Sequence, residues 1–82
     1  MAATEITTTP QNIVGDFDLI VRGNPTTNGK SAVLQKALGS GGTNFVTCYV
    51  SVGQASHFVA NTGTNAYRLA EAVAGVTVEF NQ

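Results

Sequence analysis

His57 and Cys48 are each the only residue of their kind in the chain, and between them they bound the chemistry available. A histidine acting as general base needs a group to orient its ring and a nucleophile or substrate beside it. Ser51 and Ser56 are near in sequence, but neither lies in the Gly-x-Ser-x-Gly turn that presents a nucleophilic serine. The carboxylates Asp16, Asp18, Glu71 and Glu79 show no paired spacing. Asp16 and Asp18 share one strand face, yet two carboxylates fall short of the roughly six or more oxygens that calcium takes. A solvated strand start accounts for them. One cysteine and one histidine cannot supply a four-ligand structural zinc site. A single cysteine leaves no disulfide within the chain, and Cys48, set in an apolar stretch, reads as a small buried hydrophobe. The expectation is a non-enzyme with no metal and no cofactor.

The segment Gly23-Asn24-Pro25-Thr26-Thr27-Asn28-Gly29-Lys30-Ser31 resembles the phosphate-binding P-loop, GxxxxGK followed by Ser or Thr. It follows an expected strand and opens an expected helix, as that motif requires. The resemblance implies phosphate binding, but the segment departs from the pattern. Five residues separate Gly23 from Gly29 where the motif has about four, and Pro25 removes one amide from the cradle. No acidic strand end follows to help hold magnesium. The segment reads as a polar loop and a helix N-terminus, whose free amides attract anions weakly.

The third constellation is aromatic. With Val46, Cys48, Val50 and Val52 on the core side of one strand, Phe45 and Tyr49 stand on its open side, and His57 on the neighbouring strand joins them. Aromatics on an open sheet stack bases in RNA-recognition domains. The basic-Gly-aromatic run of those domains is absent, and four basic residues are few to track a phosphate backbone. Phe45, Tyr49 and His57 are therefore read as a protein-contact face, with single-stranded nucleic acid or a small ligand as the alternative occupant.

The elements that must position these residues follow from periodicity. Phe17, Leu19 and Val21 alternate with polar neighbours and predict a strand that ends at Gly23-Asn24-Pro25. In Lys30 to Leu38, Val33, Leu34, Ala37 and Leu38 lie on one side of a helix, with Gly39 at its C-cap. The competing reading is a hairpin turning at Asn28-Gly29, with Ser31 to Leu38 as its second strand. Asn44 to Val52 is a strand, and Ser56 to Ala60 a shorter one paired with it. Asn65 to Ala74 carries Ala66, Leu69, Ala70 and Val73 at helical spacing, closed by Gly75. Val76, Val78 and Phe80 alternate in a last strand.

That order predicts an α+β domain of ferredoxin-like βαββαβ form, a four-stranded antiparallel sheet with two helices on one face. The alternative is a small five-stranded barrel or sheet with one helix. This second form resembles single-strand-binding OB modules, loosely, through Gly75-Val76-Thr77-Val78. Residues 1–12, polar and holding Pro10, read as a flexible or extended arm, and residues 13–82 as the single domain.

Charged residues make up 11% of the chain, under half the usual ~25%. With a formal net charge of -1, nucleic acid is disfavoured as a partner, and surfaces near neutrality associate readily. The amino terminus lacks the features of a signal peptide and no apolar run is long enough for a membrane span, so a cytoplasmic protein, or part of a particle assembled there, is expected. The composition points to a small structural or interaction module, a homo-oligomer or protein-binding subunit such as a virus- or phage-type shell or accessory component.

Overall fold

The computed structural model describes residues 3–23, 30–38 and 44–82. Among these there is no helix. Eight strands run β1 Thr4–Glu5, β2 Gln11–Val14, β3 Phe17–Arg22, β4 Ala32–Leu38, β5 Asn44–Ser51, β6 Ala55–Val59, β7 Thr64–Leu69 and β8 Thr77–Asn81. They build two four-stranded antiparallel sheets, the first ordered β1-β8-β3-β6 and the second β2-β7-β4-β5. Apart from the β4–β5 hairpin, every connection passes from one sheet to the other.

The core lies between the sheets because both present an alternating apolar face to it. Phe17, Leu19, Val21, Val59 and Val78 come from the first sheet, and Ile13, Ala32, Leu34, Tyr67 and Leu69 from the second. Phe17 is the hinge of the aromatic packing, edge-on to Tyr67 at 5.1 Å and to Phe80 at 5.7 Å between ring centroids. The polar lead-in also belongs to the sandwich: β1 pairs with β8, Ile6 is buried in the core, and the Leu69 N–H donates to the Thr7 carbonyl where the chain crosses between sheets.

The ferredoxin-like α+β expectation is therefore corrected to an all-β, two-sheet fold. Residues 65–74 supply most of the difference. Tyr67, which lies off the helical stripe, is fully buried there and alternates with the buried Leu69, while Ala70 is exposed. A helical spacing of small residues yields to a period-two inward pair when partner strands stand on both sides, as β2 and β4 do. In residues 30–38 the same thing happens. Ala32 and Leu34 point inward, and β4 sits between β5 and β7. The strand reading of that segment holds, and its proposed Asn28-Gly29 turn lies outside the described residues. The strand after Gly53 pairs with β3 rather than with β5.

Two glycines make one close approach possible. Gly75 occupies the third position of a turn closed by Val76 N–H to Val73 O, 3.2 Å, with φ of 76°, which is the conformation a type II turn reserves for glycine. Gly23, at φ of 92°, lies against the Gly75 carbonyl, where a Cβ would collide with backbone.

Candidate interaction surface

β5 is an edge strand whose regular alternation is broken. It pairs Leu34 with Tyr49 and then Gln35 with Thr47, so Cys48 is an extra residue, a β-bulge. The bulge inverts which side chains face inward along the strand. Beyond it Tyr49 and Ser51 lie on the core side, opposite Leu34 and Ala32. Before it Phe45 stands on the outer face, opposite Ala37. Phe45 and Tyr49, four residues apart, thus end on opposite faces.

The expectation that Val46, Cys48, Val50 and Val52 form the core side is corrected by their exposure. Val46 is 42% exposed, Val50 48% and Val52 65%, and Cys48 is exposed too. Desolvation still pushes the Cys48 thiol up from its ordinary range, with the nearby Lys36 ammonium opposing it more weakly. A thiol held protonated is a slow nucleophile.

The three aromatic residues singled out from sequence separate into two groups. Tyr49 and His57 stack face to face, centroids 4.0 Å apart and planes 7° off parallel. His57, on β6, lies opposite the buried Leu19 of β3, so this stack spans from the edge of one sheet to the edge of the other. Phe45 is covered instead by Arg68, whose guanidinium carbon sits 3.8 Å from the ring centroid while its Nε donates to Gln35 Oε1 at 2.9 Å. Each ring has one π-face taken by a neighbour, and the three do not make one open stacking platform.

Charge divides unevenly between the sheets. Strands of the first carry Glu5, Asp18, Arg22 and Glu79, with Arg22 Nε 2.6 Å from Glu79 Oε1. Strands of the second carry only Lys36 and Arg68, and Lys36 lies opposite the inward Tyr67. The outer face of the second sheet therefore presents Val14, Val33, Phe45 and Val50 around a single charge, Arg68. Phe58, 59% exposed on β6, flanks the same side as β5.

Val46, Val50, Val52 and Phe58 are the exposed apolar residues that periodicity missed. A signal for them does exist. From Ala37 to Tyr67 the sequence contains no Asp, Glu, Lys or Arg, so any surface built from this stretch has no charge to repel a partner. Among the described residues no group of three His, Cys, Asp or Glu side chains gathers where it could hold a metal ion. Compared with protein-family models, with curated proteins and with solved structures, the chain matches none.

Proposed function

We propose that this chain is a non-enzymatic assembly module that joins copies of itself or a protein partner through the outer face of its second sheet and the adjoining β5–β6 side. One observation carries the reading: the charge-free stretch folds into β5 and β6 and leaves Val46, Val50, Val52 and Phe58 exposed there. Scattered exposed apolar residues are ordinary, but four of them along one side of the sandwich, on β5, β6 and the turn between, which carry no charge of their own, mark that side for contact. The near-neutral net charge acts in the same direction, since it opposes association least.

The test is mass in solution. Sedimentation from low to high micromolar concentration is expected to show species above the 8.5 kDa monomer. A strict monomer throughout, with no protein partner recovered from its source, overturns the reading. Binding of a labelled oligonucleotide at low salt, lost on Arg68→Ala, would move it to nucleic acid.

A further inference from the structure

We propose that the assembly begins with a second copy of the chain docking on the free edge of β5, its own β5 antiparallel to the first. The two second sheets would then continue into each other across a two-fold axis. This rests on the assembly reading and names its partner and its edge.

The two sides of the sandwich treat their edges differently. On one side stand β1 and β2. β1 has two residues and ends in Glu5, while β2 has four, follows Pro10, and has its Val14 carbonyl engaged by the Gln82 side-chain amide. Short length, charge, proline and a covering side chain are the devices that keep an edge strand from pairing. The other side carries β5 and β6, and β5 is the longest strand of the fold at eight residues. Among the described residues it pairs only with β4. It holds no charge and no proline. Its one blunting device is the bulge at Cys48, which bends the strand without placing a charge on it.

The absence of charge also selects the occupant. A strand pairing with its own copy about a two-fold axis meets its own side chains, so any charge it carried would lie near its image. Asn-Phe-Val-Thr-Cys-Tyr-Val-Ser presents none. The row of N–H and C=O groups along an antiparallel edge is complementary to itself in the same operation. Val46 and Val50, half exposed in the single chain, are the β-branched residues that flank such a junction on its two faces.

Sedimentation velocity of the full chain and of Val50→Lys, Val46→Lys and Thr4→Lys, with backbone hydrogen exchange on the unaltered chain, tests this. The expected result is a dimer whose dissociation constant rises by about tenfold or more in Val50→Lys and Val46→Lys, each of which brings one added charge from either copy into the uncharged junction. Thr4→Lys, exposed on β1 at the opposite side of the sandwich and outside the proposed face, should leave it unchanged. Amides within residues 44–51 should exchange more slowly as concentration rises. Circular dichroism checks that each variant is folded, and if a lysine variant is not, the exchange of the unaltered chain decides. Association that both β5 variants leave intact, without concentration-dependent protection of β5, overturns the edge pairing while leaving the assembly reading standing. A monomer throughout with no partner removes both.

Discussion

The Tyr67 hydroxyl donates to Asn61 Oδ1 at 3.0 Å, and both residues are buried. Asn61 completes its bonding around that contact. Its Nδ2 donates to the carbonyls of Ile13 at 3.1 Å and Gly15 at 2.8 Å, and its Oδ1 also accepts from Asn65 Nδ2 at 2.6 Å. Its own N–H donates to Asp16 Oδ1 at 2.7 Å. One side chain therefore holds the β2–β3 link to the β6–β7 link, two of the places where the chain passes between sheets.

Asn61→Leu should consequently lower unfolding free energy by about 2–4 kcal/mol, because it strands several buried polar groups together. Tyr67→Phe removes one partner only and should cost about 1 kcal/mol. Urea denaturation of both single variants and the double variant measures the coupling. Additive losses would mean that the two residues act independently.

Gly23→Ala should cost about 2–4 kcal/mol, combining a left-handed backbone with a Cβ driven into the Gly75 carbonyl. Gly53→Ala is the matched control, since a Cβ there meets nothing within 4 Å. That change should stay within about 0.5 kcal/mol. Equal effects at the two sites would contradict the close approach.

Burial, and secondarily Cys48, pushes the Tyr67 phenol above the ordinary tyrosine range, and burial likewise raises the Cys48 thiol. Both groups are neutral when protonated, and the folded chain holds those protons to higher pH than the unfolded chain does. Their contribution to stability is thus fully present below the unfolded values, about 8.5 for Cys and about 10 for Tyr, and is lost as pH rises through the folded ones. Thermal or urea stability should fall on the alkaline side. Tyr67→Phe should flatten the decline above pH ~10, and an unaltered slope would remove Tyr67 as its source.

Cys48 should react slowly with iodoacetamide near neutral pH despite its exposure, since only the thiolate attacks. Lys36 lowers the thiol against the larger effect of burial, so Lys36→Gln should slow alkylation further and move its pH midpoint upward. Faster alkylation in that variant would rule out the electrostatic link.

How much of this was legible beforehand differs by strand. β3 and β8 alternate cleanly, and their inward residues Phe17, Leu19, Val21 and Val78 are those the pattern indicates. β4 and β7 were masked by accidental helical spacing: Val33 with Leu34, and Ala66 with Leu69 and Ala70, look like helix stripes, yet each set is split between the two faces of a sheet or its end. Of the aromatic constellation, Tyr49 and His57 do meet, although in a stack between sheet edges, and Phe45 does not join them.

The sequence by itself determined the weak charge, the single cysteine and histidine, and the period-two runs, because these are properties of composition and of near neighbours. Only the tertiary structure decided which side of β5 faces inward. A period of two says which residues share a face but not which face is buried, and one extra residue at Cys48 exchanges the two halfway along. Residues 64–69 were decided the same way, from a distance. Their local spacing suits a helix, but β2 and β4 pair with them from far along the chain and bury Tyr67 between the sheets.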